Sequence, residues 1–211
     1  MTFARESLPF VLPFALLALL AALAGWRLWA VVAAIAGLLV LLFFRDPHRA
    51  YTGPAEGLAA PADGLVTMVD EVAAPELGPG TFRRVVIFLS AFDVHIQRLP
   101  ADATVLASTF RPGRKVPAFR ADADEVNAGQ FTLLELAGGD RIAVRQVAGI
   151  LARRVVCYLR PGEKRQRGER LGLIKFGSRV DLLVPPGYQI LVAKGDRVRN
   201  GETPVALPPP R

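Results

Sequence analysis

The chain has 211 residues, 52% of them hydrophobic, and a formal net charge of +7. This length suits one ordinary domain plus an appendage, and the apolar content is high for a purely soluble protein. The single cysteine excludes an intrachain disulfide and argues against a zinc cluster, and no nucleic-acid recognition motif accompanies the positive charge, which instead favours an anionic membrane surface.

An apolar segment dominates the N-terminus, where Arg27 is the only charged residue between Leu8 and Phe44. One helix of this length would run roughly 55 Å, against a hydrocarbon core of about 30 Å. The segment is therefore predicted to fold back as a helical hairpin that turns at residues 25–29 and keeps Arg27 at the interface. Small residues four apart are expected to let the two arms pack closely, at Ala18/Ala22 and Ala30/Ala34.

The sequence thus divides into a hairpin, residues 1–44, and a second domain, residues 45–211. A transmembrane and a re-entrant hairpin both stay open, whereas a cleaved signal peptide is disfavoured because the apolar region is too long. Arg45, His48 and Arg49 follow the second arm, and Arg5 precedes the first. By the positive-inside bias, the second domain is expected on the cytoplasmic face of the cell (inner) membrane.

After Ala50 the pattern changes to short β-prone runs separated by Gly, Pro and Asp. Nine such runs predict a mainly β, mostly antiparallel domain: "GLVTMVDEV", "RRVVIFLS", "ATVLAST", "FTLLEL", "RIAVRQVAG", "RRVVCYL", "RLGLIKF", "RVDLLV" and "YQILVA". Cys157 is expected to be a buried strand residue. The segment 112–130 has no strand pattern, which leaves a mobile loop or a short helix.

Two turns echo each other along the chain. "GEKRQRGE" (162–169) and "GDRVRNGE" (195–202) share a glycine, an acid, four intervening residues and then Gly-Glu. Paired turns of this kind are typical of the lipoyl-like barrel-sandwich hybrid. No lysine lies at the tip of a lipoyl-type hairpin, so attachment of a swinging arm is disfavoured.

Few residues can act as a base near neutral pH, because the chain has only two histidines. His48 lies at the membrane boundary, where an interfacial role is the simple interpretation. His95, Asp63 and Ser178 each have an ordinary structural explanation, but together they meet the requirements for activating a nucleophile. Ser178 lies in "FGSRV" between two strands and not in a G-x-S-x-G elbow. A serine on such a turn can instead attack the carbonyl of the preceding residue, Gly177.

The motifs "FFRDPHR", "PADG", "DVHIQRLP" and "KFGSRVDLLVP", in this order after an apolar hairpin, span nearly the whole chain. In order and spacing they resemble the membrane-associated phosphatidylserine decarboxylase proenzymes, in their short bacterial and archaeal form. Better-known members of that family have Leu-Gly-Ser-Thr where this chain has Phe-Gly-Ser-Arg. Some members have a second histidine where this chain has Arg98.

The resemblance implies self-processing between Gly177 and Ser178. Ser178 attacks the Gly177 carbonyl with His95 as base and Asp63 orienting His95, and elimination followed by hydrolysis leaves a covalent pyruvoyl group at residue 178. The products are a 1–177 fragment, which keeps the hairpin, and a 178–211 fragment, held together as a heterodimer by strand pairing. No metal is implied.

The resemblance also implies a substrate, phosphatidylserine, and a membrane-lipid environment. The pyruvoyl ketone forms a Schiff base with the serine headgroup, CO₂ leaves, and His95 is the best available acid for protonating the product, phosphatidylethanolamine. Arg45, Arg49 or Arg179 are candidates for binding the lipid phosphate. A higher homo-oligomer is compatible with the sequence.

Two other functions stay open. One is a non-catalytic, membrane-anchored barrel-sandwich module that binds a lipid or a protein. The other is the same chemistry on an archaetidylserine-type lipid.

Overall fold

A computed structural model describes residues 2–114, 116–118, 120, 122–149, 155–174 and 178–210. The chain forms two compact units, Met1–His48 and Arg49–Arg211. The first unit is helical and the second is mainly β, so the fold class expected from the sequence is confirmed.

The N-terminal unit is a hairpin of two apolar helices, α1 (Leu8–Leu23) and α2 (Arg27–Phe43). A 3₁₀ turn, Arg5–Ser7, precedes α1, and the two-residue strands β1 (Thr2–Phe3) and β2 (Arg45–Asp46) pair where the hairpin begins and ends. Arg5–Leu23 is long and apolar enough to cross a membrane, whereas α2 is a shorter apolar helix.

The turn of the hairpin is tighter than the sequence pattern suggested. The chain reverses within residues 24–26, with Gly25 at a φ of +77°, and Arg27 already begins α2. The helices also meet on a different stripe, because Ala22 and Ala34 are exposed. The small residues buried in the contact are Ala21, Ala33 and Gly37, and a Cβ added at Gly37 would lie 3.1 Å from Cβ of Phe14.

The described part of the second unit contains fourteen strands and one short helix, α3 (Ala123–Val126). The strands are β3 (Leu58–Ala59), β4 (Gly64–Ala73), β5 (Thr81–Leu89), β6 (Ile96–Arg98), β7 (Ala103–Arg111), β8 (Gly129–Leu136), β9 (Arg141–Val147), β10 (Val155–Cys157), β11 (Lys164–Arg165), β12 (Arg170–Ile174), β13 (Ser178–Val184), β14 (Gln189–Ile190), β15 (Arg197–Val198) and β16 (Pro204–Leu207). All nine predicted runs contain a strand. Five short strands were not predicted: β3, β6, β11, β15 and β16.

The strands form one large curled sheet and two small ones, and every pairing between them is antiparallel. The large sheet has the order β11-β7-β8-β9-β13-β5-β4-β15, and the small sheets are β10-β12-β6 and β14-β16-β3. One face of the large sheet covers the main apolar core, which includes Val85, Ile87, Val144, Val180 and Leu182. The opposite face carries a smaller apolar cluster and a group of buried charges.

The strand order of the large sheet repeats itself about its central pair, β9 and β13. Strands β4 and β7 follow the same tripeptide, Pro-Ala-Asp, at residues 61–63 and 100–102, and in both strands the register shifts at the fourth residue after its aspartate. The two echoed turns add two-residue strands, β15 and β11, to opposite edges of the sheet. The two similar turns in the sequence therefore lie at equivalent places in two structurally related halves of the sheet, as in a barrel-sandwich fold.

Two sequence interpretations of single segments are now resolved. The segment 112–130 contains the short helix α3, where Asp124 is buried. Cys157 lies on a strand, as predicted, but is only half-buried, with its Sγ 3.3 Å from Oγ of Ser108.

Gly64 starts β4 at a φ of +151°, and a Cβ added there would collide with the main-chain oxygen of Phe88. Gly78 has a similar φ of +138° but open space around it. Both Gly→Ala variants carry the backbone strain, about 1 to 3 kcal/mol, and only Gly64→Ala carries the clash as well. We expect urea unfolding of Gly64→Ala to show at least about 2 kcal/mol more destabilisation than Gly78→Ala. Equal losses would mean that the close strand approach is not required.

Candidate active site

Ser178 is the first residue of β13, the strand between β5 and β9, and its register partner on β5 is Leu89. The side chain is fully buried, and its Oγ has no hydrogen-bond partner among the described residues. A buried hydroxyl without a partner costs free energy, so stability alone does not explain a serine at this position. Gly177, the other half of the predicted cleavage site, lies outside the described residues.

His95 lies between β5 and β6 and is fully buried. Its Nδ1 is 2.9 Å from the main-chain oxygen of Asp93. Because a carbonyl oxygen only accepts hydrogen bonds, Nδ1 carries the proton of the neutral ring and Nε2 is the basic nitrogen. This tautomer leaves Nε2 as the ring nitrogen that can accept a proton.

A tight turn holds Asp93 in place. The main-chain nitrogen and the hydroxyl of Ser90 both donate to Oδ2 of Asp93, at 2.8 and 2.6 Å. The turn thereby fixes the carbonyl that selects the tautomer of His95. The sequence interpretation missed this residue, although Ser-x-x-Asp in "SAFD" is a signal for such a turn.

The fold places His95 and Ser178 at the same end of β5. The main-chain nitrogen of Ile174 donates to the oxygen of His95 at 3.3 Å, where β12 pairs with β6. Ile174 precedes Ser178 by four positions, a path that spans at most roughly 14 Å. On the other side, β5 ends at Leu89, the register partner of Ser178, six residues before His95.

Asp63 is buried beside one of the echoed turns. Its Oδ1 accepts the main-chain N–H of Asn200 at 2.7 Å, and its Oδ2 pairs with Arg49 at 2.8 Å. The repeat-related aspartate, Asp102, accepts the main-chain N–H of Arg167 in the same way, at 2.7 Å. An equivalent bond from the aspartate to the turn therefore occurs in each half of the repeat, which gives Asp63 a structural role. Orientation of His95 by Asp63 stays a prediction.

Asn200, which sequence reasoning also missed, links Asp63 to the histidine segment. While its main-chain nitrogen binds Asp63, its Nδ2 donates to the oxygen of Ile96 at 2.6 Å. Ile96 directly follows His95, so one buried asparagine fixes the distance between the two predicted site segments. The signal in the sequence was its place in the second echoed turn, "RNGE".

Arg179, next to Ser178, points to the opposite face of the sheet, into a buried ion cluster. It binds both carboxylate oxygens of Asp181, at 2.6 and 2.9 Å, and lies 3.3 Å from Asp124. Burial raises the pKa of Asp181 above its ordinary value, and Arg179 opposes that rise by its charge and its hydrogen bonds. Asp124 also pairs with Arg84 and Arg145, at 2.7 and 2.9 Å.

These contacts change the set of candidate phosphate ligands. Arg179 is only 2% exposed and its guanidinium is engaged by carboxylates, which disfavours it among the three candidates for binding the lipid phosphate. Arg49 is bound by Asp63 and Glu202, at 2.8 and 3.1 Å. Arg98, which stands where some family members have a second histidine, donates to the main-chain oxygen of Gly168 at 2.6 Å.

Comparison with known proteins places the chain in a family. The family model described as phosphatidylserine decarboxylase matches residues 36–206. A phosphatidylserine decarboxylase proenzyme of Rhodococcus erythropolis (strain PR4 / NBRC 100887) is 45% identical over 170 residues, covering 79% of this chain and 72% of the relative. One of Pelobacter propionicus (strain DSM 2379 / NBRC 103807 / OttBd1) is 42% identical over 166 residues, covering 79% and 75%.

A third relative extends the match to almost the full length. The phosphatidylserine decarboxylase proenzyme of Geotalea daltonii (strain DSM 22248 / JCM 15807 / FRC-32) is 38% identical over 200 residues, covering 95% of this chain and 93% of the relative. The matched region contains the buried serine, the buried histidine and the strands that hold them. The chain belongs to the phosphatidylserine decarboxylase family of carboxy-lyases.

Proposed function

We propose that this protein decarboxylates phosphatidylserine to phosphatidylethanolamine and CO₂ with a pyruvoyl group made from its own Ser178. The observation that carries the proposal is the fully buried Ser178, whose Oγ has no partner among the described residues, at the start of a central strand in a chain whose relatives are named proenzymes.

The first stage is cleavage between Gly177 and Ser178. Oγ of Ser178 attacks the Gly177 carbonyl carbon as Nε2 of His95 takes its proton, and the peptide bond becomes an ester. Loss of the Cα proton of residue 178 expels the Gly177 carboxylate and leaves dehydroalanine. Water then replaces its nitrogen, which leaves as ammonia, and the 178–211 fragment begins with a pyruvoyl group.

The surroundings of residue 178 suit such a group. The pyruvoyl group is small and uncharged, and position 178 is fully buried against Leu89 of β5. When formed, its keto group would bind the headgroup amine and withdraw electrons from the carbon that loses CO₂. Once protonated at Nε2, His95 would supply the proton that the product carbon needs, and the Asp93 carbonyl holds Nδ1 as a donor so that proton exchange takes place at Nε2.

The hairpin fits a lipid substrate. We infer that residues 1–44 anchor the protein in a membrane and that residues 45–211 work on its cytoplasmic face, because basic residues flank both ends of the apolar segment. The processed protein would then be a heterodimer of the fragments 1–177 and 178–211.

Intact mass spectrometry of the purified full chain tests the proposal. We expect two fragments, the smaller one lighter by one ammonia than a 178–211 peptide beginning with serine, and release of CO₂ from phosphatidylserine vesicles. A single unmodified chain that is folded in lipid would refute the mechanism and favour a non-catalytic binding module. The same cleavage without activity on phosphatidylserine would point to a different serine phospholipid.

A further inference from the structure

A chain of buried amides starts at His95 and ends next to the strand of Ser178. Nε2 of Gln97 donates to the main-chain oxygen of His95 at 2.9 Å, and Nε2 of Gln146 donates to Oε1 of Gln97 at 2.9 Å. Both glutamines are fully buried. The His95 oxygen can only accept, so it fixes the orientation of Gln97, which in turn fixes that of Gln146.

With the amides in these orientations, one hydrogen-bond acceptor at the end of the chain has no donor. Oε1 of Gln146 is buried and has no hydrogen-bond partner among the described residues. An unpaired buried carbonyl oxygen costs free energy, and reversing the amide would only place two acceptors, or two donors, against each other along the chain. The fold therefore presents an acceptor that its own described groups do not use.

Gln146 and Ser178 face the same side of the large sheet. Gln146 on β9 is the register partner of Val180 on β13, and Ser178 is two residues from Val180, on the same face. Diagonal neighbours of this kind lie roughly 7 to 8 Å apart, close enough for one small ligand group to touch both side chains. Gly172 on β12 leaves room for the amide, since a Cβ there would lie 2.7 Å from Nε2 of Gln146.

We propose that Oε1 of Gln146 accepts a hydrogen bond from the headgroup nitrogen of the lipid bound at residue 178. This inference rests on the proposed function and adds a specificity-determining residue to it. A bare acceptor in a buried site recognises an N–H donor and disfavours a headgroup without one, because that ligand would leave the acceptor unpaired. Primary-amine headgroups satisfy this requirement, and a quaternary ammonium headgroup does not.

The test compares Gln146→Met with Gln130→Met in the full-length protein. Gln130 is the register partner of Gln146 on β8, is also buried, and already donates to Oγ of Ser108 at 2.8 Å. Both variants replace a buried amide by an apolar side chain of similar length on the same face. The readouts are fragment masses, thermal unfolding, kcat/KM, and binding of phosphatidylethanolamine and phosphatidylcholine micelles.

For Gln146→Met we expect wild-type cleavage and an unfolding temperature close to that of Gln130→Met. Each variant removes one amide hydrogen bond, and Gln146→Met exchanges one unpaired buried acceptor, its own Oε1, for another, Oε1 of Gln97. Its kcat/KM and its affinity for phosphatidylethanolamine fall by about 10- to 100-fold, while the weak binding of phosphatidylcholine is unchanged. Gln130→Met stays within about threefold of wild type in kcat/KM. Gln146→Leu must repeat the pattern of Gln146→Met.

Three results would overturn the inference: an unfolding temperature of Gln146→Met clearly below that of Gln130→Met, a failure of Gln146→Met to cleave, or unchanged kcat/KM and binding. The first two would make Gln146 structural, and the third would make it irrelevant to the headgroup. An uncleaved wild-type protein, in contrast, is a failure of the proposed function itself and is recognised before any variant is compared.

Discussion

Ser178→Ala is expected to give one uncleaved chain and no release of CO₂ from phosphatidylserine. Without the hydroxyl there is no nucleophile for the Gly177 carbonyl, so no pyruvoyl group forms, and we expect activity to fall by at least about 10⁴-fold. The fold should survive, because Oγ of Ser178 has no partner among the described residues and its removal leaves none of their polar groups unpaired. Fragment masses, a CO₂ assay and thermal unfolding measure the three effects separately.

Ser108→Ala is the matched control, since it removes a half-buried hydroxyl from β7. That variant should cleave and turn over as the wild type does. A Ser178→Ala chain that still divides at the same bond, or that keeps its activity, would show that the reactive group arises elsewhere. Loss of cleavage in both variants would show that general disturbance of the sheet, and not the nucleophile, is responsible.

Asp124→Asn is expected to destabilise the protein strongly. The side chain is 7% exposed and its carboxylate pairs with Arg84, Arg145 and Arg179, at 2.7, 2.9 and 3.3 Å. Removing its charge leaves three guanidinium groups short of an anion, of which those of Arg84 and Arg179 are buried, and we expect this to cost about 3 to 5 kcal/mol of unfolding free energy. Urea unfolding in a Ser178→Ala background measures this loss on a single continuous chain.

The control is the same substitution two residues away. Asp122 pairs with Arg120 at 2.8 Å, but both side chains are largely exposed, so Asp122→Asn should leave the unfolding midpoint close to that of the parent. Adding Arg145→Met to Asp124→Asn removes one cation from the cluster and should recover part of the lost stability. Equal effects of Asp122→Asn and Asp124→Asn would contradict the importance of the buried cluster.

The sequence predicted the long strands because their alternation is local. Strands β4, β5, β7, β8, β9 and β13 were visible as β-prone runs, whereas two-residue strands such as β11 and β15 carry no periodicity and exist because a neighbouring strand pairs with them. The two similar turns, 162–169 and 195–202, correctly indicated an internal repeat, because they carry β11 and β15 at opposite edges of the large sheet. The small-residue stripe of the hairpin was misplaced because a helix shows several candidate faces and only packing selects one.

The candidate site was predicted less completely, for physical reasons. Ser178 and His95 stand out by residue type, but Asp93 acts through its main-chain carbonyl, which has no sequence signature. Arg179 has one partner that the strand pattern places on its own face, Asp181, and a second, Asp124, that is 55 positions away in the chain and that only the fold brings near it. The chain of buried amides that starts at His95 depends on the orientation of Gln97 and Gln146. Only the contacts of the folded protein define these orientations.

The position of Ser178 between β5 and β9 has a consequence for when the protein becomes reactive. Its strand partners are separated from it by long stretches of chain, and β13 pairs with both of them along most of its length. Under the proposed cleavage, a chain would acquire its electrophile only after these distant pairings are complete. Maturation would then act as a checkpoint on assembly: a nascent or misfolded copy carries an inert serine, and a reactive ketone is confined to copies whose central strand is already enclosed.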